Sequence, residues 1–240
     1  MEKMEGIIIK NNKYLETSKI IYCLTSEGIK SFLAKGACKL TSKNNSYTQN
    51  ITKISFDYAK GKGFDIITSA QILDNFNNIK TDFDRMQYAY LISELILHFT
   101  PHVTNVPLFY DFCCDVFSKI NDNRHYKEYY LLFSVKLLYL LGVGPELKSC
   151  VKCGSKTDLI GFDINSGGMI CSNCHGHDEL FYNQQVIKVV KYLYYTKIND
   201  IKDDILDLIT NFDDICIFIN SYYEKYLGFK SQTFKVIKSI

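Results

Sequence analysis

Four cysteines in the second half of the chain fall as two pairs, Cys150-x2-Cys153 and Cys171-x2-Cys174, with seventeen residues between the pairs. A Cys-x2-Cys turn sets two sulfurs on one tight knuckle, at about the separation that two ligands of a tetrahedral ion need. Two knuckles supply four thiolates, and Zn–S bonds of ~2.3 Å complete such a shell with no open position. One structural Zn2+ is therefore the expected cofactor. A ribbon closed this way gains on the order of 10 kcal/mol of local folding free energy from the metal. Other chemistries fit less well. A redox Cys-x2-Cys normally occurs once beside a βαβ pattern, which is absent, and iron–sulfur spacings bring at least three cysteines close together. His175 or His177 could replace one cysteine, but four thiolates already satisfy the ion, so both read as surface residues of the exit turn.

The elements that must position these sulfurs can be read around them. Leu159 to Phe162 forms one strand, Asn165-Ser166-Gly167-Gly168 a turn, and Met169 and Ile170 the returning strand, a short hairpin between the knuckles. Gly154 relieves crowding after the second cysteine. Upstream, Ile7 to Ile9, Ile20 to Leu24, Ile29 to Leu33, Ile51 to Tyr58 and Asp65 to Ile72 read as strands. About five strands in ~80 residues suggest a small barrel, because closure removes sheet edges. Lys43 to Asn50 reads as a flexible loop. After Lys80 the pattern turns helical: Thr81 is the expected N-cap of a helix ending before Pro101, and Pro107 opens the next. On that second helix Leu108, Phe112, Val116 and Ile120 are expected to share one face. Further helices are expected over Tyr126 to Leu141, Asn183 to Ile198, Lys202 to Thr210 and Phe212 to Leu227, the last closed by Gly228. The expected organisation is α+β and multidomain. Residues 1–80 form the barrel, 81–149 and 181–240 two parts of a helical bundle, and 150–180 a zinc ribbon inserted between them.

The chain has 240 residues, 47% hydrophobic and 22% charged, enough for a full core. Its net charge of +2 conceals an uneven distribution: residues 1–80 hold twelve lysines against seven acids. Lys225, Lys230, Lys235 and Lys238 form a second basic group, unopposed in sequence after Glu224. The first residues lack a signal-peptide core, and Tyr129 to Leu141 is too short to span a bilayer, so a cytosolic protein without membrane association is expected. The remaining cysteines, Cys23, Cys38, Cys113, Cys114 and Cys216, sit in apolar stretches and read as buried reduced thiols.

The words flanking the cysteines are more specific than their spacing. Leu137-Leu138-Tyr139-Leu140-Leu141-Gly142-Val143-Gly144-Pro145-Glu146-Leu147 runs into the first pair, and Gly161-Phe162-Asp163 leads through Ser166-Gly167-Gly168-Met169-Ile170 to Cys171. At the ends stand Glu5-Gly6-Ile7-Ile8-Ile9-Lys10, Tyr14, Glu16, Ala34-Lys35-Gly36-Ala37 and Leu227-Gly228-Phe229-Lys230-Ser231. Over essentially its whole length the chain resembles the bacterial recombination-mediator family RecO. The resemblance implies an OB-fold followed by a helical bundle carrying the ribbon, in a cytoplasmic, nucleoid-associated protein of DNA repair. It further implies binding of single- and double-stranded DNA and annealing of complementary strands. The implied partners are the acidic C-terminal tail of single-strand-binding protein, RecR, and indirectly RecA, which RecR helps to load.

An OB barrel holds strands in a basic groove with stacking aromatics. Lys10, Lys13, Lys35, Lys39 and Lys43 are the candidates, with Lys60 and Lys62 extending the groove; each also has an ordinary reading as a solvated lysine. Lys225, Lys230, Lys235 and Lys238 are candidates for a partner or duplex contact, or simply complement a helix C-terminus. Tyr14 and Phe32 could stack bases, although a barrel aromatic is more often core, and no paired exposed aromatics of a dedicated strand reader stand out. The aromatics Phe109, Phe112, Tyr129, Tyr130 and Phe133 could form a partner pocket but read more simply as core. Nothing reads as an enzyme: Gly61-Lys62-Gly63 is too short for a phosphate loop and no Ser, His and Asp constellation is evident. The rival classes are a zinc-ribbon OB-fold RNA-binding or ribosome-associated adaptor, and a metal-dependent hydrolase, which would need an open metal position.

Overall fold

The computed structural model of the protein describes residues 2–39, 41–176 and 183–234. Backbone contacts divide the chain into two compact units, Met1–Arg124 and His125–Ile240. The first begins with β1 (Glu2–Tyr14), β2 (Ser18–Thr25), β3 (Gly28–Ala34), β4 (Thr52–Ala59) and β5 (Asp65–Asp74). These five strands close into a barrel in the order β1-β2-β3-β5-β4. The strand β1 runs well beyond the Ile7 to Ile9 run because it serves two neighbours. Its first half pairs with β4 (Glu2 opposite Tyr58, Ile8 opposite Thr52) and its second half with β2 (Ile7 opposite Leu24, Tyr14 opposite Ser18). An irregularity between Ile8 and Lys10 bends the strand where it changes partner. Within β1 the neighbouring strand packs tightly against Gly6, where a Cβ would stand 2.4 Å from Cys23 Sγ and 2.6 Å from the Leu24 carbonyl. The barrel is filled by Ile8, Ile21, Phe32, Ile54, Phe56 and Tyr58 among others. Phe32 meets Phe56 edge-on at 4.9 Å and so belongs to the core, not to a stacking surface.

Lys43 to Asn50 is not a loop throughout. Lys43–Tyr47 forms a short helix, α1, because Ser42 accepts a hydrogen bond from the Asn44 N–H and Tyr47 buries its ring in the barrel. The first unit continues with α2 (Asn77–Thr81), α3 (Phe83–Phe99) and α4 (Val106–Asp122). The cap of α3 is Asp82 rather than Thr81: its carboxylate accepts from the Asp84 and Arg85 N–H groups, while Thr81 is the last residue of α2. On α4 the buried stripe is Phe109, Cys113, Val116, Phe117 and Ile120, and Leu108 is exposed. A strict four-residue repeat overshoots one turn of a 3.6-residue helix by about 40° a step, so Leu108 rotates off the face that Val116 and Ile120 share.

The second unit is built on α5 (Tyr126–Leu140), whose residues Tyr129 to Val135 are all buried, as in a central helix. Around it lie α6 (Gln184–Tyr195) and α8 (Phe212–Leu227), joined through the short α7 (Asp203–Leu206). Tyr223 of α8 donates its hydroxyl to the Ser134 carbonyl at 2.8 Å, and Gly228, in the left-handed region, ends α8 as read from sequence. The helix over Asn183 to Ile198 stops at Tyr195, and that over Lys202 to Thr210 is reduced to the single turn of α7. Between α5 and α6 sit β6 (Glu146–Cys150), β7 (Leu159–Asp163) and β8 (Gly168–Cys171). They form a three-stranded sheet in the order β6-β8-β7, so the hairpin read from sequence gains a parallel third strand from the Glu146-Leu147 segment. Phe162 of β7 packs on Phe218 at 5.0 Å and on Tyr222 at 6.2 Å, which docks the sheet on α8. Among the described residues no helix is long and apolar enough to cross a membrane.

Candidate metal centre and nucleic-acid interface

The sheet of the second unit delivers the four cysteines to one point. Cys150 ends β6 and Cys171 ends β8, and the pairing of Cys150 with Met169 sets those strand ends side by side. Each strand then turns back on itself. The Gly154 N–H bonds the Cys150 carbonyl at 2.8 Å with Gly154 at φ +76°, a conformation a side chain would strain. After Cys171 a single 3-10 turn, Ser172–Cys174, brings Cys174 round. The four Sγ atoms lie within 4.8 Å of one another, and Cys153 and Cys171 are 3.6 Å apart. A tetrahedron of four sulfurs with ~2.3 Å bonds has edges of about 3.8 Å, so this set matches the donor shell of one metal ion. Burial opposes charge on Cys150, yet N–H groups of Cys171, Cys153 and Lys152 point at its sulfur and bring the thiol down to about 6. Hydrogen bonding with Cys153 and Cys171 pushes Cys174 up to about 12, the pattern of several thiols around one thiolate. His175 is not in the cluster, and His177 lies outside the described residues. The other cysteines are reduced thiols: Cys23, Cys113 and Cys216 are buried and Cys38 and Cys114 half-buried.

In the first unit the strand register gathers lysines at one end of the barrel. Lys13 on β1 faces Lys19 on β2, and Lys19 faces Ala34 on β3, after which Lys35 follows at once. The turn beyond Lys35 is tied to the β1–β2 loop, since the Cys38 N–H bonds the Thr17 carbonyl at 2.8 Å and the Cys38 thiol bonds the Ser18 carbonyl at 3.2 Å. That tie brings Lys39 to the same end. Lys43 opens α1, whose next residue, Asn44, donates its side-chain amide to the Lys35 carbonyl at 2.7 Å. The β4–β5 loop, which holds Lys60 and Lys62, joins them through an edge-to-face contact of Phe64 with Tyr14 at 6.0 Å. Lys10, Lys13, Lys35, Lys39, Lys43, Lys60 and Lys62 are all exposed. Lys60 is partly spoken for, 3.1 Å from Asp65 and over the Tyr58 ring at 5.7 Å. Lys10, opposite Tyr22, stands further along β1 than the rest.

Family models for recombination protein O match the chain along almost its whole length, the N-terminal model over residues 1–76 and the C-terminal model over residues 80–232. The chain belongs to the RecO family. Relatives named DNA repair protein RecO include one from Listeria monocytogenes serotype 4b, 26% identical over 100% of this chain and 95% of its own. One from Shouchella clausii is 28% identical over the same shares, and one from Syntrophomonas wolfei is 33% identical over 72% of this chain and 69% of its own.

Two features of this RecO-family chain differ from the sequence reading of its basic residues. Lys230 is not unopposed: it pairs with Glu224, six residues earlier in the last turn of α8. Lys225 is exposed in the last turn of α8, and Lys235 and Lys238 lie outside the described residues. Lys19, absent from the sequence candidates, turns out to be a strut: its amine donates to Asn45 Oδ1 at 3.2 Å and Thr48 Oγ1 at 3.4 Å and so holds α1 against β2. Phe64 was likewise missed, because only the Tyr14 contact reveals that the two loops meet. The aromatics Phe109, Tyr129, Tyr130 and Phe133 are buried and serve as core.

Proposed function

We propose that this chain is a recombination mediator that binds single- and double-stranded DNA through the loop end of its barrel. It anneals complementary strands there and, with RecR, helps to load RecA onto strands coated with single-strand-binding protein. The observation that carries this reading is the convergence of Lys13, Lys35, Lys39, Lys43 and Lys62 on the end where Tyr14 and Phe64 join the two loops. In an OB barrel these loops and the β2–β3 face are where oligonucleotides lie, and lysines there neutralise phosphates without reading bases. The metal of the four-cysteine shell is zinc in this reading, since four thiolates in a closed tetrahedron suit it and leave no place for a substrate. Its task is to hold the β6–β8 sheet that packs on α8. For the acidic tail of single-strand-binding protein the second unit offers an apolar cleft of about 200 Å³ between α6 and α7, lined by Val189, Tyr192, Ile205, Leu208 and Ile209 with Lys188 among them. An apolar floor with a cation suits a peptide that ends in an apolar side chain and a carboxylate.

The deciding experiment is annealing of complementary strands coated with single-strand-binding protein, followed by RecR-dependent RecA filament formation, for wild type and for the charge reversal Lys35→Glu, Lys39→Glu, Lys43→Glu. Wild type should anneal and load, and the variant should do neither efficiently. A wild type that binds structured RNA but does not anneal coated DNA would favour the RNA-binding adaptor. Annealing untouched by the charge reversal would remove the barrel end from the mechanism.

A further inference from the structure

The second unit carries its own cluster of exposed aromatics and cations, remote in sequence from the barrel lysines. Tyr139, in the last turn of α5, is 64% exposed, and Tyr195, at the end of α6, is 44% exposed. Tyr194 stands between them, edge-on to Tyr139 at 5.9 Å and to Tyr195 at 5.0 Å. Its place is fixed twice. Its hydroxyl fills the space where a Cβ on Gly144 would sit, 1.9 Å away, and its carbonyl accepts from the Lys136 amine. The rings on either side are thereby held in a set relation. The amine of Lys148, on β6, lies over the Tyr195 ring 4.3 Å from its centroid, close enough for a cation–π contact. Lys191 is exposed four residues before Tyr195 and so rises from the same side of α6. Glu146, an acid whose charge reaches Tyr194 and Tyr195, is turned into the backbone, where its Oε1 accepts from the Lys148 and Ser149 N–H groups at 2.7 and 3.0 Å.

Exposed rings grouped in this way, with Lys148 over one of them and Lys191 on the same side of α6, make a patch that is both aromatic and cationic. Aromatic faces interleaved with lysines are the general chemistry of single-stranded nucleic acid binding: rings stack unpaired bases whatever their identity, and amines meet the phosphates between them. We infer that Tyr139 and Tyr195, with Lys148 and Lys191, form a second single-strand site, a stacking platform on the helical unit. This goes beyond the barrel site and does not depend on it. Annealing needs two strands held by one protein, and a base-stacking surface presents unpaired bases where a phosphate groove alone holds only the backbone.

The chain contains no tryptophan, so Tyr195→Trp in the full-length protein introduces a sole tryptophan reporter at the platform. Titration with an oligo-dT strand should quench its fluorescence saturably, whereas an abasic strand of equal length should not. The quenching should persist when Lys35, Lys39 and Lys43 are also changed to Glu, which separates this site from the barrel. In a second measurement, Tyr139→Ala with Tyr195→Ala in that charge-reversed chain should weaken oligo-dT binding by about fivefold or more, since stacking is worth at least that per base, and Tyr139→Phe with Tyr195→Phe should restore it. Equal quenching by the abasic strand, no quenching while anisotropy reports a bound strand, or a polyproline peptide that quenches where oligo-dT does not, would each overturn the platform.

Discussion

The salt dependence of DNA binding should fall in a calculable way when the barrel end loses charge. Lys60 is paired with Asp65, which leaves Lys13, Lys35, Lys39, Lys43 and Lys62 as exposed cations of the convergent loops. If each neutralises one phosphate, Z is about five, and for a single strand log K should fall against log salt with a slope of about −3.5. Affinity for oligo-dT should then drop about 100-fold between roughly 50 and 200 mM salt. In Lys35→Gln, Lys39→Gln, Lys43→Gln, Z is about two, the slope about −1.4 and the drop about sevenfold. The three side chains are exposed, and the contact that ties α1 to this region uses the Lys35 carbonyl, not its amine, so folding should be unaffected. Fluorescence anisotropy at four or more salt concentrations measures both slopes. A variant with the wild-type slope refutes the phosphate role of these lysines, even if its affinity at one salt concentration is lower.

Three further outcomes are expected. Purified protein should hold one zinc per chain, Co(II) replacement should give a tetrahedral four-thiolate spectrum, and Cys153→Ser, which removes the exposed ligand, should release the metal and lower the Tm; a metal-free protein whose Tm ignores chelators would defeat this. Burial brings Lys80 down to about 8, against the pull of Asp74, while its amine donates to Thr52 and Asn75 at 2.6 Å. Its folded value lies below its unfolded one, so its charged form penalises folding below about pH 8 and the penalty lifts as pH rises towards about 10.5. The urea stability difference between wild type and Lys80→Met should therefore shift in favour of wild type from pH 8 to 10, and a flat difference would refute the assignment. Gly168→Ala places a Cβ 2.3 Å from Val151 Cγ1 and 2.8 Å from the Glu146 carbonyl, so it should destabilise the second unit by about 1–3 kcal/mol in a denaturation series.

What the sequence could reveal of the fold depended on how local each signal is. Strand alternation, proline entry and glycine exit are written within a few residues, and β2 to β5 and the span of α8 follow them closely. The misreadings arise where a contact outside the window decides. Lys43–Tyr47 is helical because Tyr47 reaches the barrel core, which no Asn-rich pattern announces. Asp82 caps α3 because Thr81 is already the end of α2, a helix too short to leave a periodic trace. The compact units divide after Arg124, where α3 and α4 pack on strands of the first unit and α2 packs on α3 and α4, a division that no change of element type marks.

The two sites differ in the same respect. A four-cysteine shell is half assembled by each Cys-x2-Cys, so its spacing in sequence is nearly its geometry, and only the parallel strand β6 had to be added to bring the halves together. The barrel end is assembled by strand register and the tyrosine cluster by contacts between helices. Lys13 is related to Lys35 through Lys19 of β2, Phe64 meets Tyr14 across fifty residues, and the ring of Tyr194 stands between Tyr139 and Tyr195. Single-strand binding without base preference does not need a fixed motif, because any ring can stack and any amine can meet a phosphate. Such a surface is defined by which residues the fold leaves exposed together. That is why the four-cysteine cluster is the most legible feature of the chain, while the surfaces proposed to hold DNA are legible only once the strands are paired.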